Sequence, residues 1–162
     1  MVTNYFALFE LPVSFTLDLA GLNRKYIALQ KRHHPDFHAG AGAEELDEVM
    51  QRSSMLNEGL QVLRDPDARM RHVLQLNGQL DDEEKYVLPP DFLMEMMELN
   101  EEEDAEKRGM AIRELRQAMD ETIAPVLAAY QEGRTEGFPF DRVKDHYFRK
   151  KYLRRILDKP AG

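Results

Sequence analysis

Arg32-His33-His34-Pro35-Asp36-Phe37 is the stretch on which the fold turns. A proline after His34 disfavours helix at that histidine, so the His-Pro-Asp tripeptide is expected in a loop between two helices. Before it, Leu19, Leu22, Tyr26 and Leu29 recur at helical spacing, with Asp18 placed to cap the start. After it, the small loop His38-Ala39-Gly40-Ala41-Gly42 leads into a helical pattern from Ala43 to Leu63. Its apolar stripe is Leu46, Val49, Leu56, Leu60 and Leu63. Two such helices joined by a short loop fold back on each other, which displays His34 and Asp36 at the tip of a hairpin. A tip of this kind reads as a docking point rather than a catalytic centre.

The helix leading into the tip is electrically distinctive. Between Leu19 and Pro35 stand Arg24, Lys25, Lys31 and Arg32 and not one acid, in a chain whose net charge is −8. The two pairs lie seven residues apart and so share one helix face, opposite the apolar one. A merely solvated face would mix its signs.

Outward from the hairpin, Tyr5-Phe6-Ala7-Leu8-Phe9 is a short apolar turn or helix ended by Pro12. Arg64-Asp65-Pro66-Asp67 breaks the second long helix, and a shorter one with Met70, Val73 and Leu74 stops at Asn77-Gly78. Residues 1–76 are thus expected to form one helical unit. Residues 77–90, acidic and closing on Pro89-Pro90, read as a linker. Residues 91–162 carry three more helical patterns. These run from Asp91 to Ala105, from Glu106 to Gln131 with a kink at Pro125, and from Asp141 onward with Val143, Tyr147, Tyr152 and Ile156 as core. No period-two alternation occurs over a useful length. The fold class expected is all-α, a helical hairpin followed by a three-helix bundle.

The first helix of the bundle is apolar on two sides. Phe92, Met96 and Leu99 form a core stripe, while Leu93, Met94 and Met97 gather on the other side beside Glu98 and Glu101. Such a helix either touches two neighbours or presents a binding surface, and the flexible thioether of methionine suits the second.

Bulk properties exclude several function classes. Without cysteine there are no disulfides and no thiolate metal sites. A negative net charge opposes general binding to nucleic acid or anionic membrane. There is neither a long apolar run nor the basic start of a signal peptide, so a cytoplasmic address is expected. His33, His34, Asp36 and His38 are metal-ligand types, yet they lack the helical spacing of the usual zinc patterns, and neither metal nor cofactor is expected. A metal-dependent hydrolase on those four residues is the enzyme alternative, but no phosphate loop or nucleophile elbow supports enzymology. His72 and His146 are isolated and read as surface or packing residues.

The tripeptide in its setting resembles a J-domain. The resemblance is carried by Tyr5-Phe6, the basic helix and Leu56-Asn57-Glu58-Gly59-Leu60-Gln61-Val62-Leu63-Arg64-Asp65-Pro66. Pro89 with Phe92-Leu93-Met94-Glu95-Met96-Met97-Glu98-Leu99-Asn100-Glu101 resembles the start of the C-terminal domain of the HscB family, co-chaperones of iron–sulfur cluster assembly. That resemblance spans nearly the whole chain. It implies that His34, Pro35 and Asp36 engage an HscA- or DnaK-type chaperone and stimulate its ATPase, with Arg24, Lys25, Lys31 and Arg32 steering the docking. It also implies that Leu93, Met94, Met97, Glu98, Glu101 and, on the last helix, Phe148 hold an IscU-type scaffold protein. The chain would then be an adaptor and not an enzyme. A general J-protein using Leu93, Met94 and Met97 for unfolded clients is the other binding reading. The chain departs from the family pattern at Phe37, where many J-domains place a lysine, and at Ala105, where relatives often continue the acidic face.

Overall fold

The computed structural model describes residues 2–33 and 35–157, with the backbone alone at Pro35 and Phe37. Every regular element among them is helical: α1 Tyr5–Leu8, α2 Leu19–His33, a 3-10 turn Pro35–His38, α3 Ala43–Arg64, α4 Pro66–Leu76, α5 Pro90–Glu101, α6 Ala105–Ala128 and α7 Phe140–Leu157. Two compact units are present. The first holds Met1–Asn77 with Gln131–Thr135, and the second Gly78–Tyr130 with Glu136–Gly162.

In the first unit α2 and α3 pair as a hairpin, and α1 and α4 both pack on α3. Leu22, Leu56, Leu63, Val73 and Leu74 close its core with Phe6 and Phe9 from the α1 segment. Leu19, expected on the apolar stripe, is exposed instead, because α2 begins there and its first turn reaches past the core. Four residues are too few for an isolated helix. α1 persists because Asn4 accepts the Ala7 N–H at 3.1 Å and its two phenylalanines are buried. α1 also approaches α3 closely. A Cβ on Gly59 would lie 2.9 Å from Phe9 Cε2 and 3.0 Å from Tyr5 Cδ1, so the position has room only for glycine.

Polar residues brace the hairpin. Ser53 Oγ donates to Gln30 Oε1 at 2.8 Å, and Gln30 Nε2 donates to Asn57 Oδ1 at 2.9 Å, which pins the α2–α3 register. Asp65 caps α4, its carboxylate accepting the Asp67 N–H, and Pro66 opens that helix. Arg69 is buried, donating to the Phe15 and Leu63 carbonyls at 2.9 and 2.7 Å. His72 is buried too. Its Nε2 accepts the Tyr5 N–H at 3.1 Å while its ring stacks on Phe6.

Burial holds the His72 pKa below the usual imidazole value. The unfolded chain therefore takes up this proton first, near pH 6.5. The stability that neutral His72 contributes is intact above that pH and is lost as the pH falls toward the lower folded value. His72→Gln keeps an acceptor for Tyr5 but cannot titrate. Urea unfolding between pH 7.5 and 5 is expected to show a shallower loss of stability in this variant than in the wild type. An equal slope in both would remove His72 from the account.

In the second unit α5 packs on α6 and α6 on α7. Phe92 and Met96 of α5, Ile112 of α6, and Leu153 and Ile156 of α7 form one buried cluster. α5 stops at Glu101, short of the Ala105 expected, because the Asp104 carboxylate caps the next helix, accepting the Glu106 N–H at 3.0 Å and the Lys107 N–H at 3.3 Å. α6 ends at Ala128 rather than Gln131, only three residues beyond Pro125. On α7 the buried face is Val143, His146, Lys150, Leu153 and Ile156, whereas Tyr147 and Tyr152 are half-buried. A lysine can line this face because its ammonium meets the half-exposed Asp120 carboxylate at 2.9 Å, with His146 Nε2 3.4 Å from the same oxygen.

The acidic stretch after Gly78, expected as linker, is held against α7 in this unit. Lys144 pairs with Glu84 at 2.8 Å, and the Tyr86 hydroxyl donates to Asp145 at 2.7 Å.

Candidate functional site

At the hairpin tip, α2 runs to His33, and the 3-10 turn is tied back when His38 Nε2 donates to the Arg32 carbonyl. Asp36 sits exposed in that turn, while His34 lies outside the described residues. Lys31 and Arg32 are exposed in the last turn of α2, where the helix dipole favours positive charge. His33, which ends α2, lies among further basic groups. Its pKa is held low first by burial and then by the charges of Arg52, Arg32 and His38. Arg52, on α3, is a cation that the α2 spacing could not reveal, since only the folded hairpin brings it near.

Arg24 and Lys25 differ from that pair. Arg24 is exposed, 3.9 Å from the Asp18 carboxylate, too loose and solvated an ion pair to fix it. Lys25 is half-buried and donates to the Glu10 carbonyl at 3.0 Å. Glu10 has φ of +58°, a left-handed conformation that costs a non-glycine residue about 1–2 kcal/mol. Lys25 thus braces a strained turn after α1 as well as carrying charge.

On α5, Leu93, Met94, Met97, Glu98 and Glu101 fall within one arc of the helix. Met94 and Met97 are 63% and 61% exposed, whereas Phe92 and Met96, on the other side, are 4% and 0% exposed. Leu93 is half-buried at the margin. Glu98 and Glu101 stand exposed near the C-terminal end of α5, where no basic residue occupies the last turn. Negative charge there opposes the helix dipole, so helix stability does not account for these acids.

Phe148 belongs to a different constellation. Its ring stacks on Tyr86 at 4.5 Å and 3°, and Tyr147 meets it edge-on at 5.2 Å. The Tyr86 hydroxyl is pushed up to about 12, first by burial and then by its hydrogen bond to Asp145, so it remains a proton donor at neutral pH. Tyr86 escaped the sequence reading because its acidic neighbours look like linker. Among the described residues, no group of three or more His, Asp or Glu side chains is placed to hold a metal ion, and no helix is long and apolar enough to cross a membrane.

Comparison with known proteins gives a consistent picture. The family model described as the HSCB C-terminal oligomerisation domain matches residues 88–159. A co-chaperone protein HscB homolog of Pseudoalteromonas atlantica is 38% identical over 125 residues, covering 76% of this chain and 71% of that protein. The homolog of Vibrio cholerae is 42% identical over 100 residues, covering 61% of this chain but only 58% of the relative's length. Two solved structures are similar over most of this chain. The chaperone HscB from Vibrio cholerae has a TM-score of 0.64 and 30% identity, with 95% of each chain covered. Human co-chaperone protein HscB has a TM-score of 0.78 and 28% identity, with 96% of this chain and 79% of the other covered.

Proposed function

The chain belongs to the HscB family, and from that premise we propose that it is a co-chaperone of iron–sulfur cluster assembly with one docking surface on each unit. The hairpin tip, with His34, Pro35 and Asp36 and the cations Arg24, Lys25, Lys31 and Arg32, engages an HscA- or DnaK-type chaperone and accelerates its ATP hydrolysis. Positive charge at Lys31, Arg32 and Arg52 steers an acidic partner surface toward the tip. The α5 face holds an IscU-type scaffold through Leu93, Met94, Met97, Glu98 and Glu101, with Phe148 contributing from α7. Holding both partners on one chain raises the local concentration of scaffold at the chaperone. The chain itself makes and breaks no covalent bond.

The observation that carries this reading is the α5 face, where two methionines stand more than half exposed between acids that the helix does not need for its own stability. Titration of the IscU-type scaffold into the wild type and into a Leu93→Ala/Met97→Ala variant tests it. Truncating two central apolar contacts is expected to weaken binding by at least about tenfold. Unchanged affinity in a variant of native helicity would sink the assignment. Tight capture of unfolded peptides in place of the folded scaffold would move the reading to a general client-binding J-protein.

A further inference from the structure

The second unit carries a groove that none of the roles above uses except through Phe148. Its walls are the segment around Lys85 and Tyr86 on one side and Phe148, Lys151, Tyr152 and Arg155 of α7 on the other. Lys85, Lys151 and Arg155 are exposed, and Lys151 Nζ stands 5.9 Å over the Phe148 ring. The one acid lining the groove, Glu84, is paired with Lys144. In a chain of net charge −8 this is a local concentration of positive charge above an aromatic floor.

The groove is also built in advance. The Glu84–Lys144 and Tyr86–Asp145 contacts fasten its outer wall to α7 at two points, so a ligand need not order it. We propose that this groove docks an acidic peptide segment of a partner protein, its carboxylates meeting Lys85, Lys151 and Arg155 and an apolar side chain resting against Leu88 and Tyr152. Single-stranded nucleic acid fits less well. One face of Phe148 is stacked on Tyr86 and Lys151 stands over the ring, which leaves no open platform for a base.

A fluorescein-labelled octapeptide of glutamate with one central phenylalanine, titrated into the full chain at low salt and followed by anisotropy, tests this. Saturable binding that weakens with added salt is expected, with at least about a tenfold loss for Lys151→Glu/Arg155→Glu. Both side chains are exposed, and an unchanged helical signal shows that the variant is folded. The Leu93→Ala/Met97→Ala variant should bind the peptide as the wild type does, which separates this groove from the scaffold surface. No binding of the acidic peptide, or equal binding by the charge-reversed variant, overturns the proposal. So does tighter binding of an oligothymidylate that is lost with the same two substitutions, which would assign the groove to nucleic acid.

Discussion

Asp36→Asn is expected to return ATP hydrolysis by an HscA-type chaperone, measured with the IscU-type scaffold present, to the rate seen without this protein. The substitution keeps the shape of the side chain, removes its charge and turns one acceptor oxygen into an amide donor. A hydrogen bond from a basic partner group to a carboxylate contributes about 1.5–3 kcal/mol, against about 1 kcal/mol for its neutral counterpart. Asp36 is exposed in the 3-10 turn, within reach of a partner surface. Native helicity with no stimulation supports the tip as the contact. Full stimulation by the variant would refute it. If neither protein stimulates the HscA-type enzyme, a DnaK-type enzyme is the next partner to assay, because Phe37 stands where many J-domains place a lysine.

Arg69→Met should cost the first unit about 2–6 kcal/mol, about 1–3 kcal/mol for each of the two buried carbonyls that loses this donor, a large fraction of the ~5–15 kcal/mol by which domains are stable. The methionine keeps the apolar stem but supplies no donor. The Phe15 and Leu63 carbonyls then lose their charged partner in a place that is only 8% exposed at Arg69. Those two bonds tie the segment before α2 to the junction of α3 and α4, so the elements that carry the tip loosen together. Hydrogen exchange on the full chain reads this directly. Protection is expected to fall across α2–α4 while α5–α7 keep theirs. A loss under about 0.5 kcal/mol would mean that water or a shifted backbone satisfies both carbonyls. ATPase stimulation should fall as well, but here with the fold, unlike in Asp36→Asn.

Arg69 also marks a limit of reading the chain by periodicity. The ends of α3 and α4 are legible in sequence because Asp65-Pro66 and Asn77-Gly78 announce them in local backbone chemistry. The hairpin and the two-sided α5 are legible because apolar residues repeat at 3.6. Arg69, His72, His146 and Lys150 are not, because a polar side chain enters a core only when a particular distant partner meets it. Those partners, the Phe15 carbonyl, the Tyr5 N–H and the Asp120 carboxylate, are set by the tertiary fold. The same reason separates Lys25 from Lys31: equal in sequence, one is recruited to the Glu10 carbonyl and the other stays in solvent. Phe148 enters only by resemblance, and its stack with Tyr86 depends on a segment whose acids disguise its packing.

The exposure contrast along α5 also decides how this surface ages. Met94 and Met97 are 63% and 61% exposed, while Met96, two residues from the one and next to the other, is sealed at 0% exposure. Peroxide therefore reaches the two outward residues before the inward one, turning an exposed apolar strip into polar sulfoxide without disturbing the core beneath. Sulfoxide reductases can reverse that change. The face is thus open to a damage that leaves the molecule folded, and to its repair.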